Sequence, residues 1–331
     1  MISRDDRRSR LRVTRGAFFP RGVEWQPFVV EGTASTNRLW RGSGPSGEWF
    51  LKWYKYPSVG IHPEPEVAEF LTAQGFEGVA AFGARLDASG PDGWRTIAFI
   101  QSWLSGSSVW DNTVSAMLSG DPKKIFAADL GRTVGRLHRA LGSGADHSNF
   151  SSESWCETSQ NNCLERISQS VASLQKAFDE SPPESIATGS WQDARRVCHC
   201  ALSEWHTMLR AVSDLNVGGQ IIRIHGDLHL GQFLERREDS GSNRFVVVDF
   251  EGEPMRSTME RRLKDLPLRD VAGMFRSFDY SAAVAGKSRR VAEHWSAEFL
   301  KGWLEEAPQP SGEWRRLLSI LIWEKAIYEA L

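Results

Sequence analysis

The sequence has 331 residues and is nearly neutral, with 40 Lys and Arg residues against 42 Asp and Glu residues. A chain of this length can form one large domain or two lobes around an ample core. The balanced charge disfavours nucleic acid or a membrane surface as a partner, and no stretch reaches the length of a transmembrane span. The arginine-rich residues 1–23 lack the apolar segment of a secretory signal and are predicted to be a solvated tail. We therefore expect a soluble, cytoplasmic protein.

Three strands are predicted after this tail, at residues 27–31, 37–41 and 48–54. Glycine and serine residues separate the strands, as in an antiparallel meander. The second separating segment, GSGPSG at residues 42–47, is interpreted as a hairpin turn.

Lys52 lies among the apolar residues of the third strand, WFLKWY. A lysine ammonium that points inward needs a partner. The next segment, HPEPEVAEFLTAQGF, predicts a helix with proline at its start, and Glu66 in its first turn is the predicted counter-ion. The alternative is an exposed lysine on an edge strand and a solvated glutamate.

The middle of the chain is predicted to be mostly helical. A strand over residues 94–104 is followed by a loop that includes VWDN. A helix is predicted from Asp121 and Pro122, because apolar residues then recur at helical spacing as far as Leu141. His138 in this helix is interpreted as a packing and hydrogen-bonding residue. Two further helices are predicted at about residues 163–179 and 191–212.

Two apolar runs, IIRI and FVVVDF, lead to carboxylates at Asp227 and Asp249. Strands that end at an acid place it at the edge of a core, so we expect the two carboxylates to face one another across a cleft. In phosphoryl transfer one aspartate accepts the attacking hydroxyl proton, while a second aspartate and an amide hold Mg²⁺. Gln232, five residues after Asp227, offers that amide.

Other interpretations of these residues remain open at this point. Asp227 could simply form a turn beside Gly226, and Asp249 could be an ordinary acid at a strand end. His225, Asp227 and His229 alternate, which would suit a hydrolytic metal site on a strand. That reading is disfavoured because Gly226 interrupts the strand and no further ligand cluster lies nearby.

HGDLHLGQ, VVVDFEGEP and LPLRDVAGMFRSFDYSA together resemble the maltokinase family, sugar kinases related to aminoglycoside phosphotransferases. The match runs nearly unbroken over residues 225–282. It implies an α+β, two-lobed, protein-kinase-like fold, with an antiparallel sheet in an N-lobe (24–104) and a mostly helical C-lobe (105–331). By this resemblance Asp227 is the catalytic base, and Gln232 and Asp249 ligate Mg²⁺.

The resemblance also implies which residues bind the nucleotide. Lys52, held by Glu66, would contact its phosphates. The turn between the first two strands would cover it, and Gln101 and Trp103 would border the adenine. The phosphate contacts in that turn would come from Gly32, Thr33 and Ser35.

Candidate substrate residues lie in the C-lobe. Asp270, at the start of a helix, is interpreted instead as a cap or an arginine partner. Two substrate candidates share one face of a final helix that is predicted to begin near Gly312. The full set is His229, Glu251, Arg276, Asp279, Glu324 and Tyr328.

These features predict an ATP- and Mg²⁺-dependent sugar kinase that converts maltose to maltose 1-phosphate. Maltokinases usually carry an N-terminal cap and continue past the final helix, whereas here only the short arginine-rich segment precedes the first strand and the sequence stops at Leu331. These departures leave the choice of sugar open, with glucosamine as an alternative. An aminoglycoside-type phosphotransferase is disfavoured because its acceptors need an acidic site, whereas the segment after Pro254 is rich in arginine. A non-catalytic nucleotide-binding module is disfavoured because the lysine, the base and the metal acid are all present.

Overall fold

The computed structural model describes residues 10–29, 37–121, 126–179, 192, 196, 215, 217–236 and 245–330. Its N-terminal lobe is built on a six-stranded antiparallel sheet with the order β1-β5-β6-β4-β3-β2. A helix, α1 (Pro63–Ala73), packs Ala68 against Phe82 and Phe99 of this sheet. The strands are β1 (Leu11–Arg15), β2 (Glu24–Phe28), β3 (Arg38–Gly44), β4 (Gly47–Trp53), β5 (Phe82–Gly90) and β6 (Gly93–Ser102).

Two predictions for this lobe have different outcomes. The glycine-rich segment between β3 and β4 is a hairpin turn, as predicted, with Gly44 opposite Gly47. The arginine-rich start, in contrast, is not only a tail. Its residues Leu11–Arg15 form the edge strand β1, where Arg12 forms a salt bridge of 3.0 Å with Asp87 of β5.

The C-terminal lobe is mostly helical. Its helices are α2 (Val109–Ser119), α3 (Ala127–Leu141), α4 (Glu157–Asp179), α5 (Leu268–Val284), α6 (Arg289–Glu306) and α7 (Trp314–Ala330). Its short strands are β7 (Ser107–Ser108), β8 (Glu153–Ser154), β9 (Val217–Gly218), β10 (Gln220–Ile221), β11 (Phe233–Glu235), β12 (Phe245–Val247) and β13 (Ser311–Gly312). The antiparallel sheet lobe and helical lobe confirm the predicted kinase-like fold.

Glycines allow two of these helices to approach very closely. A Cβ atom on Gly131 of α3 would clash with the carbonyl oxygen of Phe299 in α6, and one on Gly302 of α6 would clash with that of Ala128 in α3. The two backbones therefore touch where they cross. This contact fixes α3, and with it His138, beneath the loop that carries Asp227.

Some helix predictions were wrong or lie outside the described residues. The VWDN segment, predicted to be a loop, begins α2, which is capped by the Ser108 hydroxyl. In the described part of the chain α3 begins at Ala127 rather than at Asp121. Of the helix predicted at 191–212, only Gln192 and Arg196 are described, and both are helical. Within the described ranges, no helix combines the length and the apolar character needed to cross a bilayer.

Candidate active site

Asp270 fixes the loop that carries the predicted base. Its carboxylate accepts hydrogen bonds from the backbone N–H groups of His225 (2.8 Å) and Gly226 (2.9 Å). Trp303 donates to His138 Nδ1, so His138 Nε2 carries the proton and donates to Asp270 at 3.0 Å. Burial opposes ionisation, but these hydrogen bonds hold the pKa of Asp270 below its ordinary value. The prediction of a helix cap or an arginine partner for Asp270 was therefore wrong, whereas His138 is a hydrogen-bonding residue, as predicted.

Asp227 lies in this loop and contacts a lysine that the sequence analysis did not select. Its Oδ1 accepts a hydrogen bond of 2.9 Å from Lys325 Nζ of α7. The Asp227 side chain is 24% exposed, so that a substrate could reach it. The preceding residue, Gly226, has a φ of 86°, a conformation that favours glycine.

Glu253 holds Lys325 in place. It is buried and accepts a hydrogen bond of 3.1 Å from Lys325 Nζ. It also pairs with Arg269 at 3.0 Å and with Arg256. Burial alone would raise the pKa of Glu253, but the charges of Arg269, Lys325 and Arg256 lower it to about 2. The carboxylate is thus ionised and surrounded by cations.

On the N-lobe side, the ammonium of Lys52 is the centre of an ionic cluster. Its Nζ lies 2.9 Å from Glu64, 3.1 Å from Asp249 and 2.8 Å from Glu251. Burial lowers the pKa of Lys52, but the three carboxylates raise it well above its ordinary value. Glu64 also accepts a hydrogen bond of 2.9 Å from the Tyr54 hydroxyl. Because Glu64 is deeply buried, its pKa is raised to about 7 despite the adjacent ammonium.

Glu66 is not the partner of Lys52, so this prediction was wrong. Its carboxylate pairs with Arg223 (3.1 Å) and Arg262 (2.8 Å) of the C-lobe and accepts from Asn149 (2.9 Å). Residues two positions apart on a helix point in nearly opposite directions. Glu64 therefore faces Lys52 while Glu66 faces the other lobe.

Gln232 and Asp249 lie side by side at one end of the β11–β12 pair. The strands hold them together, since Val248 N–H donates to the Gln232 carbonyl at 3.0 Å. Burial opposes ionisation of Asp249, but the Lys52 ammonium and the neighbouring Gln232 side chain lower its pKa. Asp249 has a φ of 63°, the one positive value at a non-glycine residue among those described.

These oxygen donors suit a hard divalent cation. Mg²⁺ is held by one or two carboxylates together with substrate phosphates and water. Ligand oxygens of Glu64, Asp249 and Glu251 all lie within 4.8 Å of one another. The Asp249 side chain is 43% exposed, so a bound cation could contact both it and a nucleotide.

The alternative metal site at His225, Asp227 and His229 does not form. His225 Nε2 lies 2.9 Å from the Val248 carbonyl oxygen, so its ring is already engaged. His229 Nε2 lies 3.2 Å from the Gln232 amide, and burial lowers its pKa. His229 thus contacts Gln232, one of the predicted metal ligands.

The other substrate candidates are scattered. Glu251 contacts Lys52 and Asn37 rather than the region beside Asp227. Glu324 is buried and pairs with Arg166 at 2.6 Å. Tyr328 remains near the site, because its hydroxyl accepts a hydrogen bond of 3.2 Å from Met255 N–H and its ring lies 4.8 Å from Lys325 Nζ.

Arg276 and Asp279 are not brought to the site. They pair with each other at 3.5 Å, and Arg276 also pairs with Glu329 of α7 at 2.9 Å. Neither lines the cavity described below. The structure therefore gives these two residues a role in joining α5 to α7.

The predicted nucleotide contacts remain predictions. Gln101 is half-buried near the end of β6, and Trp103 follows that strand. The Trp103 ring packs edge-on against Phe28, at 5.1 Å between ring centroids. The predicted phosphate contacts Gly32, Thr33 and Ser35 lie outside the described residues.

A cavity of about 920 Å³ opens on the C-lobe side of the site. Arg256, Arg269 and Tyr328 line its inner end, where the first two contact Glu253. Its outer walls include Trp155, Asn149, Glu165, Glu260 and Arg262. The cavity has polar and aromatic walls. It is linked to Asp227 through Glu253, which binds the same lysine as Asp227, so it could hold an acceptor.

This combination of a buried lysine–glutamate pair, an aspartate loop and a second aspartate defines a kinase-like phosphotransferase. The phosphotransferase enzyme family, APH, matches residues 29–255, more than half of the chain. The chain belongs to this family.

Its relatives include two named glucosamine kinases. One, from Mycolicibacterium smegmatis, is 27% identical over 73% of this chain and 57% of its own length. The other, from Streptacidiphilus jiangxiensis, is 26% identical over 57% of this chain and 38% of its own length. The chain thus spans less than two thirds of either relative.

Solved structures agree on the fold. A glucosamine kinase in complex with glucosamine, ADP and inorganic phosphate has a TM-score of 0.70 at 17% identity, covering 96% of this chain and 74% of that one. A spectinomycin phosphotransferase bound to ADP and spectinomycin has a TM-score of 0.51 at 11% identity, covering 92% and 79%. These two likenesses show the fold, and with the family match they confirm the predicted relation to aminoglycoside phosphotransferases, whereas maltokinase in particular is not supported.

Proposed function

We propose that the chain is an ATP- and Mg²⁺-dependent kinase that phosphorylates a hydroxyl group of an amino sugar, with glucosamine as the first candidate. The observation that carries the proposal is the Lys52 cluster. It joins the predicted phosphate-binding lysine to Asp249, which lies beside Gln232. The Asp227 loop meets the strand before Asp249, since His225 Nε2 lies 2.9 Å from the Val248 carbonyl oxygen, and this supports assigning the base and the metal acid to one site.

Each part of the cluster has a role in this reaction. Lys52, oriented by Glu64, would contact the nucleotide phosphates. Asp249 and Gln232 would hold Mg²⁺, with Glu251 as a further oxygen donor nearby. The bound ion would neutralise charge that develops on the transferring phosphoryl group.

Asp227 would accept the proton of the attacking hydroxyl. Its Oδ1 is taken by Lys325, and its Oδ2 accepts no hydrogen bond from the described residues. A carboxylate oxygen held in this way can orient a hydroxyl for in-line attack. Asp227 therefore supplies positioning and a proton acceptor rather than covalent chemistry.

Glucosamine is favoured because the two curated relatives are named for it. The cavity also has carboxylates to receive an ammonium group, since Glu165 and Glu260 are exposed on its walls. The alternative of a polycationic aminoglycoside is less suitable, because arginine and lysine side chains line the same walls.

Maltose remains a second candidate because of the size of the cavity. Its volume of about 920 Å³ lies near the upper end of the range of about 300–1,000 Å³ for small-molecule sites. A disaccharide would fit such a space.

An acceptor panel tests the proposal. ADP release from MgATP would be measured with glucosamine, N-acetylglucosamine, maltose and kanamycin, and each product would be identified by mass. We expect glucosamine to give the highest turnover and its N-acetyl derivative, which lacks the ammonium group, to give much less. Turnover with maltose alone would favour the second candidate, and no acceptor-stimulated turnover at all would contradict a sugar kinase.

A further inference from the structure

The side chain of Lys325 joins the loop that carries Asp227 to a buried ionic centre. Its Nζ donates to Asp227 Oδ1 at 2.9 Å and to Glu253 Oε1 at 3.1 Å. We propose that Lys325 is a positioning residue that holds Asp227 in the orientation needed to receive the acceptor hydroxyl. This role rests on the proposed function, because it assumes that Asp227 is the base.

Lys325 selects one oxygen of Asp227. The ammonium binds Oδ1 and no described residue donates to Oδ2. A carboxylate free to rotate would present either oxygen, or neither, to the acceptor. With Oδ1 fixed, the χ2 angle of Asp227 is fixed as well, and Oδ2 is the oxygen left for the substrate.

Lys325 is itself held independently of Asp227. Glu253 binds the same ammonium and is anchored by Arg269 of α5 and by Arg256. The Lys325 side chain is only 13% exposed, and its ammonium lies 4.8 Å from the Tyr328 ring. Lys325 therefore provides a rigid support for Asp227 rather than a mobile surface charge.

Helix α7 does not need Lys325 in order to pack against the rest of the C-lobe. Glu324 pairs with Arg166 of α4, and Glu329 pairs with Arg276 of α5. Leu317, Leu321 and Ile327 of the helix are buried in the core. A substitution of Lys325 can therefore change the position of Asp227 while the helix stays in place.

Lys325→Met removes the ammonium and keeps most of the apolar side chain. Because Glu253 keeps Arg256 and Arg269, the variant should fold, with a thermal midpoint close to that of the wild type. A displaced catalytic group of this kind costs about 100-fold in rate. We expect kcat for sugar-dependent ADP release to fall by about that factor, while KM for MgATP stays within about twofold.

Two companion variants separate positioning from structure. Lys325→Arg keeps the charge and should recover part of the lost kcat. Glu329→Gln breaks an ion pair on the same helix without touching Asp227 or Glu253, and should leave kcat within about twofold of the wild type. If Lys325→Met unfolds, the neutral, polar variant Lys325→Gln gives the same comparison.

The role would be overturned if Lys325→Met kept wild-type kcat, or if Glu329→Gln lost as much kcat as Lys325→Met. Equal loss of ADP affinity and turnover in Lys325→Met would also overturn it, since positioning of the base should not affect nucleotide binding. A wild-type protein without sugar-stimulated turnover would refute the proposed function and this role together. An active wild type beside an equally active Lys325→Met would refute the role alone.

Discussion

Asp270 orders the loop that carries Asp227 by accepting the backbone N–H groups of His225 and Gly226. It is 1% exposed, so neither N–H group could find water if the carboxylate were lost. The conformation of the loop that carries Asp227 thus depends on a residue that lies more than forty positions further along the chain.

Asp270→Asn should destabilise the protein. An asparagine has one acceptor oxygen in place of two, so at least one buried N–H group or the His138 ring loses its partner. Each such loss costs about 1–3 kcal/mol, which urea unfolding can measure. Asp279→Asn on the same helix breaks only a partly exposed pair with Arg276 and should cost less than about 1 kcal/mol. Equal effects for the two variants would contradict this account.

Local pattern can select some candidate residues and not others. Asp227, Gln232 and Asp249 stand in one short stretch with the spacing of a kinase loop, which is why the sequence selects them, and their roles stay predictions. Glu64 and Glu66 look alike in sequence, and only the rotational phase of α1 distinguishes them. Lys325 reaches the site through the packing of α7, which no local pattern encodes.

At the scale of elements, α1 connects the two lobes through its two faces. Glu64 on one face binds Lys52 of β4, and Glu66 on the other binds Arg223 and Arg262. Arg262 also lines the cavity proposed to hold the acceptor. One helix therefore contacts both Lys52, the predicted nucleotide ligand, and Arg262 of the cavity proposed for the acceptor.

Substitutions on the two faces should have different effects. Glu64→Gln removes a charged partner of Lys52, and we expect kcat/KM for MgATP to fall about tenfold or more. Glu66→Gln leaves the buried Arg223 without its carboxylate, so the free energy of unfolding should fall by about 3 kcal/mol, with KM for MgATP little changed. Steady-state kinetics and urea unfolding check both. If instead Glu66→Gln lowered kcat/KM for MgATP and Glu64→Gln lowered only the stability, the prediction that Glu66 holds Lys52 would be restored.

Sequence patterns predicted elements unevenly. The β3–β4 hairpin follows from its glycines, since Gly47 has a φ of 103°. Strand β1 was missed because its arginines suggested solvent, yet Arg12 has a partner in Asp87 of the neighbouring strand. Helix α2 was missed because its Asp-Asn pair resembles a turn, whereas Thr113, Ala116 and Met117 of the helix are buried.

At the scale of the whole molecule, ionic clusters hold distant segments together. Lys52 of the N-lobe binds Asp249 and Glu251 of the C-lobe. Glu253 joins α5, α7 and the segment after Pro254 through Arg269, Lys325 and Arg256. The stability of the fold should therefore depend on the ionisation of these carboxylates.

Glu253 makes this dependence measurable. Its pKa is lowered from 4.5 to about 2 in the folded protein. Its stabilising contribution is complete above pH 4.5 and is lost as the pH falls towards 2, at most about 3 kcal/mol. Glu253→Gln should be less stable at pH 6 and should lose less stability between pH 4.5 and 3 than the wild type. If the free energies of unfolding of the two proteins, measured with urea, changed equally with pH across this range, Glu253 would not have the lowered pKa described here.

The central claim is that Asp227 receives the acceptor proton in a site whose nucleotide and metal groups are Lys52, Asp249 and Gln232. Its most direct test compares ADP release with glucosamine and MgATP in the wild type and in Asp227→Asn, with ADP affinity measured alongside. The account predicts that Asp227→Asn loses about 100-fold or more in kcat while it binds ADP as the wild type does. An Asp227→Asn variant that turns over glucosamine at the wild-type rate would contradict it.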